Sequence, residues 1–232
     1  MISRLAIIPA RGGSKRLPRK NIMQFMGKPM LGWSIECAKE SGLFDRILVS
    51  TEDAEIGNIA ETSGAVWSHR PPDLAGDKTT VAEVCLDLLR RESAEKRVYN
   101  TMVCLYATAP LRLVEDIHEA VRLVEAEHAD FVMSVTDFVY NPFEAIRIDN
   151  SGNASLMWPE LAALSRFERP VVKVDAGSTY AVSTEAFLKY GDFYGPNLKV
   201  FEIPPERAVD IDDQVDFEKA LMLAKRNHKL LL

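Results

Sequence analysis

Apolar residues along this chain fall into short unbroken runs, and between the runs they recur with a helical period. Leu5-Ala-Ile-Ile8 shows no polar alternation and predicts a strand buried on both faces, as in parallel sheets. Pro29 suits the first turn of a helix, on which Met30, Trp33 and Cys37 share a face until a stop near Gly42. Arg46 to Thr51 predicts a second strand, Glu55 to Thr62 a short helix ended by Gly64, and Ala65 to Trp67 a third strand. Thr79 or Thr80 can cap a helix whose Val81, Val84, Cys85, Leu88 and Leu89 follow the 3.6-residue period. Thr101 to Tyr106, Val114 to His128 and Phe131 to Thr136 continue as strand, helix and strand. This βαβα rhythm predicts an α/β, three-layer αβα domain with a mostly parallel sheet.

The rhythm breaks at about residues 137–173, a segment rich in Pro, Asn, Arg and aromatics. Its best strand, Glu144 to Ile148, is followed by the turn-like Asp149-Asn-Ser-Gly152, so a hairpin and a loop are expected there. Order returns with strands at Ser178 to Val182 and Leu198 to Ile203. A last helix, Asp216 to Lys225, puts Phe217, Ala220, Leu221 and Ala224 on its core side. Residues 1–232 read as one domain carrying that excursion.

Composition refines the picture in three ways. No run approaches the roughly 18–20 apolar residues of a membrane helix, and the first apolar stretch is too short for a secretory leader. Cys37, Cys85 and Cys104 are widely spaced and form neither a disulfide framework nor a zinc pattern. They read as free thiols of a cytoplasmic protein. The net charge of −6 argues against bulk nucleic-acid binding, yet residues 1–35 contain no Asp or Glu and seven Lys or Arg. A basic opening on an acidic chain predicts an anion there.

The stretch Ile8-Pro-Ala-Arg-Gly-Gly-Ser-Lys-Arg-Leu-Pro-Arg-Lys-Asn21 has what a triphosphate needs. Gly12 and Gly13 let the backbone turn and bring N–H groups near phosphate oxygens. Arg11 can fork onto two oxygens, while Lys15 and Lys20 supply compact charge. The stretch leaves the carboxyl end of the first strand, where open α/β sheets bind ligands. It is neither a Walker A loop nor a dinucleotide fingerprint.

The full spelling resembles the signature of the acylneuraminate cytidylyltransferase family. The resemblance continues through Val49-Ser-Thr-Glu-Asp53, Arg70-Pro-Pro-Asp-Leu-Ala-Gly-Asp77, Ala107-Thr-Ala-Pro-Leu-Arg112 and Val209-Asp-Ile-Asp212. It implies a Rossmann-like nucleotidyltransferase sheet, with the excursion serving as a dimerisation region of a homodimer. It also implies CTP and a nonulosonic (sialic-acid-like) sugar as substrates, with CMP transferred to the anomeric hydroxyl and pyrophosphate released. Arg11, Ser14, Lys15, Lys20 and Asn21 match the triphosphate-contacting positions, with Gly12 and Gly13 between them. Arg70 and Asp77 match the cytidine side. Asp210 and Asp212 match the carboxylates that hold Mg2+, and residues two apart in an extended segment do project to one side. Arg11, Lys20, Asp210 and Asp212 are the expected catalytic set. Asp213 with Asp216 also reads as a D-x-x-D helix cap.

The sugar side departs from the sialic-acid pattern. Tyr106 stands where many relatives carry Gln, and Asp175-Ala-Gly-Ser-Thr-Tyr180 where many read Asn-Gly-x-x-Tyr. Both spellings, with Met157-Trp-Pro-Glu160, resemble the pseudaminic acid branch. Tyr106, Thr108, Asp175, Ala176 and Gly177 are therefore the expected sugar-side residues, with N-acetylneuraminic and legionaminic acids as the next acceptors. Arg147, Arg166 and Arg169 are candidates for the sugar carboxylate and equally for solvated surface. The alternatives left open are a 3-deoxy-octulosonate cytidylyltransferase, another sugar nucleotidyltransferase, or a non-catalytic nucleotide-binding module.

Overall fold

The computed structural model of the chain describes residues 2–226. β1 (Arg4–Pro9) runs into a long loop that closes on a small antiparallel ribbon, β2 (Gln24–Phe25) with β3 (Lys28–Pro29). α1 (Met30–Glu40), β4 (Arg46–Thr51), α2 (Ala54–Thr62) and β5 (Val66–His69) follow. Next come α3 (Val81–Ala94), β6 (Thr101–Leu105), α4 (Val114–Glu125) and β7 (Phe131–Thr136). The excursion holds a hairpin, β8 (Ile146–Ile148) with β9 (Ala154–Leu156), and a single helical turn, α5 (Pro159–Ala162). β10 (Val174–Ser183), α6 (Thr184–Tyr190), β11 (Leu198–Glu202) and α7 (Gln214–Arg226) complete the order.

Seven strands form the central sheet in the order β11-β7-β10-β6-β1-β4-β5. β1 pairs in parallel with β4 and β6, β4 with β5, and β7 with β11; β10 runs antiparallel to β6 and β7. Leu5 and Ile7 pack toward α3 and α6, while Ala6 and Ile8 pack toward α1, α2 and α4. With helices on both faces, residues Leu5 to Ile8 are all inside, which is why β1 shows no alternation. The expected three-layer, mostly parallel α/β sheet is the architecture found.

A third apolar cluster joins the long loop to the far end of the chain. Leu17, Phe25 and Met30 pack with Val209, Ile211 and the α7 residues Phe217, Ala220 and Ala224. Segments some 190 residues apart in sequence are thereby held side by side.

The helix caps behave as expected. Thr80 and Glu83 form a reciprocal capping box on α3. Asp213 Oδ1 accepts from the N–H groups of Val215 and Asp216 at 2.9 and 3.0 Å, and Asp216 Oδ2 accepts from those of Asp212 and Asp213.

Several elements differ from expectation. α4 stops at Glu125, three residues early, and His128 takes a left-handed turn with φ 53°. Only Ile146 to Ile148 of the expected Glu144 to Ile148 strand pairs, because Asn141 caps a 3-10 turn over Pro142–Glu144. The hairpin expected in the excursion is formed by β8 and β9, whereas the ribbon, α5 and α6 carried no sequence expectation of their own.

Candidate active site

A cleft of about 280 Å³ opens at the carboxyl end of β1. β1 lies between β4 and β6, so the loops that follow these strands part there and leave a crevice. Arg11, Ser14, Lys15, Arg16, Lys20 and Asn21 line it from the long loop. Arg70 and Asp77 come from the segment after β5, Thr79 to Val81 from the start of α3, and Tyr106 to Thr108 from the end of β6. Asp210 and Asp212 close the other side.

Five cationic side chains meet three carboxylates in this cleft. Lys20, mostly buried, donates from Nζ to the Ile211 carbonyl at 3.0 Å and to Asp212 at 2.8 Å. Arg16 pairs with the second oxygen of Asp212. Arg11 reaches Asp77 at 3.0 Å, and Lys15 pairs with the same carboxylate. Lys15 and Arg11 hold the exposed Asp77 carboxyl below its ordinary range. Asn21 is buried and donates to the Arg11 carbonyl at 2.9 Å, so it shapes the loop from beneath.

The two remaining aspartates differ in environment. Burial pushes the Asp210 carboxyl up, and the nearby charge of Asp212 adds to this, while a hydrogen bond from Thr108 works against it. Burial also works to raise Asp212, but Lys20 and Arg16 outweigh it and hold that carboxyl low. Among the described residues, no group of three or more His, Cys, Asp or Glu is arranged to hold a metal ion. Two carboxylates facing a cationic cleft suit Mg2+, which typically takes one or two carboxylates and fills its shell with phosphate oxygens and water.

Arg70 is buried, with its guanidinium on the Ser50 carbonyl at 2.8 Å and on the Ser50 hydroxyl at 3.3 Å. It therefore braces the loop and lines the cleft together. Burial pulls the Arg70 guanidinium below its usual value, and Glu52 nearby offsets part of this.

The residues expected on the sugar side divide into two groups. Tyr106 and Thr108 line the cleft. Asp175, Ala176 and Gly177 stand behind it, at the start of β10. That strand is antiparallel, so its beginning meets the carboxyl ends of β6 and β7. Asp175 accepts from the Tyr180 hydroxyl at 2.8 and 2.9 Å, from the Tyr194 hydroxyl at 3.0 Å, and from the Gly177 N–H at 2.9 Å. Tyr180 in turn backs Tyr106, ring centroids 5.1 Å apart. Burial raises the Tyr106 phenol, which stays neutral. Gly177 has φ 61°, and a Cβ there would sit 2.9 Å from the Asp210 side chain. It is needed where backbone and carboxylate approach closely.

Gly12 and Gly13 do not line the cleft. The Gly12 N–H donates to Glu52 at 2.8 Å, and a Cβ on Gly12 would meet Asp53 Oδ2 at 2.8 Å. The expectation that this N–H faces a phosphate is thus corrected: the glycine permits close packing against the β4–α2 connection. Arg169 is occupied by the carbonyls of Ala162 and Leu164 and by Glu144, which makes it a brace of the excursion. Arg16, Thr79, Thr80 and Val81 line the cleft without having been singled out for it. Arg16 was visible as part of the basic run, and Thr80 was legible only as a cap.

Comparison with known proteins places this geometry. Residues 5–156 match the cytidylyltransferase family model. A pseudaminic acid cytidylyltransferase of Campylobacter jejuni is 36% identical over 228 residues, covering 97% of each chain. A CMP-N,N'-diacetyllegionaminic acid synthase of Legionella pneumophila is 32% identical over 233 residues, 98% of this chain and 99% of the other. The fold is similar to that of a CMP:2-keto-3-deoxy-manno-octonic acid synthetase solved with CTP. That match has a TM-score of 0.70 at 16% identity, over 97% of this chain and 99% of the other.

Proposed function

The chain belongs to the cytidylyltransferase family, and we propose that it transfers CMP from CTP to the anomeric hydroxyl of a nonulosonic acid, releasing pyrophosphate. The observation that carries this is the cleft in which the loop cations face Asp210 and Asp212. The attacking hydroxyl must approach the α-phosphorus while negative charge moves onto the departing pyrophosphate. Such a transfer depends on positioning and charge neutralisation more than on covalent chemistry. Arg11, Lys15 and Arg16 bind the triphosphate, and Lys20 stands at the junction with the aspartates. Asp210 and Asp212 would hold Mg2+, which supplies charge neutralisation at the phosphates. Arg70 and Asp77 flank the nucleoside end. Among the described residues no histidine lines the cleft, and no residue is assigned as general base.

Pseudaminic acid is the acceptor we favour. Tyr106 presents an aromatic wall to the sugar side, and the Asp175-Ala-Gly177 segment holds that wall through Tyr180. The Campylobacter relative bears that activity in its name. Incubation with CTP, Mg2+ and pseudaminate should release pyrophosphate faster than with N-acetylneuraminate or legionaminate, and a chelator should abolish it. No pyrophosphate with any nonulosonic acid would remove the reading; turnover of an eight-carbon 2-keto acid alone would reassign the acceptor.

The enzyme acts as a homodimer in this reading. The excursion over residues 137–173 exposes Tyr140 by 85%, Phe167 by 97% and Val171 by 89%. So many apolar side chains on one excursion fit a second copy of the chain. Sedimentation should give twice the chain mass; a monomer at micromolar concentration would refute it. Its three buried free cysteines fit a reducing cytoplasm.

A further inference from the structure

We infer that the β4–α2 connection and the first turn of α2, Glu52 to Glu55, moor the phosphate loop, and that Arg19 and Asp53 are positioning residues for CTP. This rests on the reading above. Arg19 and Lys20 are neighbours in sequence, yet they part company in space. The Arg19 backbone takes the left-handed conformation, φ 60° and ψ 22°. Its guanidinium lies on Asp53 and Glu55, outside the cleft lining, whereas Lys20 reaches Ile211 and Asp212 within it. A left-handed turn is unfavourable for a residue with a side chain, so something must hold it. Two carboxylates on one guanidinium are what the structure provides.

The other end of the loop is tied to the same connection. Glu52 accepts the Gly12 N–H at 2.8 Å, and Gly12 packs directly on Asp53. Gly12 and Arg19 therefore bracket the loop, and the cleft cations Arg11, Lys15, Arg16 and Lys20 lie between these ties or next to them. A basic loop without regular structure samples many conformations when free, and fixing it beforehand lowers the ordering cost of binding. Arg19 keeps the Asp53 carboxyl below its ordinary range, so the tie is ionic at neutral pH.

Asp53 divides its work between its two oxygens, which makes the inference testable. Oδ1 caps α2, accepting from the N–H groups of Glu55 and Ile56 at 3.0 and 3.1 Å, and takes only a long 3.4 Å bond from Arg19 Nη2, while Oδ2 takes the short bond from Arg19 Nη1. Asp53→Asn keeps the cap oxygen and turns an amide toward Arg19, removing the short ionic tie while sparing the helix cap. Charge by itself predicts the opposite outcome, because removing a carboxylate near a triphosphate site should tighten CTP. If the mooring is real, Asp53→Asn and Arg19→Ala should each raise the CTP dissociation constant about tenfold, the scale of couplings between contacting residues.

Isothermal calorimetry with CTP alone, and KM for each substrate, would be measured on both variants and on the double variant. The expected result is weaker CTP binding, unchanged acceptor KM, a near-wild-type melting temperature, and a double variant no worse than either single one. Wild-type or tighter CTP binding by Asp53→Asn overturns the inference. Additive losses also overturn it, since Arg19 would then touch CTP itself. Wild-type protein that binds no CTP would instead remove the functional reading beneath it, and the inference with it.

Discussion

Lys20→Ala should lower kcat by about 10²- to 10³-fold, the cost of removing one charge-stabilising donor from an active site. Lys20 is the cleft cation with the most buried side chain of the loop lysines, 17% exposed against 78% for Lys15. Its Nζ is fixed by a carbonyl at 3.0 Å and a carboxylate at 2.8 Å, so it needs little rearrangement to meet a phosphate oxygen. Water excluded from its surroundings leaves its charge less screened than that of Lys15. Removing it should leave the fold intact, because Asp212 keeps Arg16 and remains partly exposed. Steady-state pyrophosphate release and thermal unfolding would be measured together. Turnover within a few-fold of wild type would take Lys20 out of the catalytic set. Equal losses in turnover and melting temperature would make it a structural tie.

Arg112→Met should destabilise the protein by about 3–5 kcal/mol, which for a chain of this size is roughly 10 °C in melting temperature. Arg112 is 5% exposed and donates to the Thr179 hydroxyl at 2.9 Å, the Ser34 hydroxyl at 3.0 Å, and the Tyr106 and Ser178 carbonyls at 2.9 and 2.6 Å. No carboxylate is hydrogen-bonded to it, and burial lowers its guanidinium below the usual value. Its work is therefore to tie together polar groups where β6, β10 and α1 meet, adding four hydrogen bonds to those the groups make among themselves. Methionine preserves much of the volume but removes all four of these bonds from a buried junction. Because Tyr106 loses an anchor, the acceptor KM should rise more than the CTP KM. An unchanged melting temperature would show that these groups find other partners and that the brace is dispensable.

These two residues show what the sequence could and could not disclose. Lys20 was legible because it sits in an unusual local string, Lys15 to Asn21, whose spelling carries its chemistry. Arg112 closed the Ala107 to Arg112 motif, but nothing local marks it as buried. Its partners come from positions 34, 106, 178 and 179, and only folding brings them together. Arg19 was one more charge in a basic run, with no sign that it turns away from its neighbours. The Val49 to Asp53 motif was recognisable, yet its role emerged only from Gly12 and Arg19 packing on it.

By itself, the sequence determined the αβα layering, a cap at Thr79 or Thr80 and one at Asp213, the position of the basic loop after β1, and the close spacing of Asp210 and Asp212. All of these rest on burial period, cap chemistry or close spacing, and each acts within a few residues. Tertiary structure alone decided the direction of β10, because a strand buried on both faces reads the same whether parallel or antiparallel. That direction sets Asp175 and Gly177 behind the cleft and places Gly177 against Asp210. It also decided which loop cations face the cleft and which tie the loop down. Charge partners are chosen by proximity in space, and here they lie 34 to 196 residues apart.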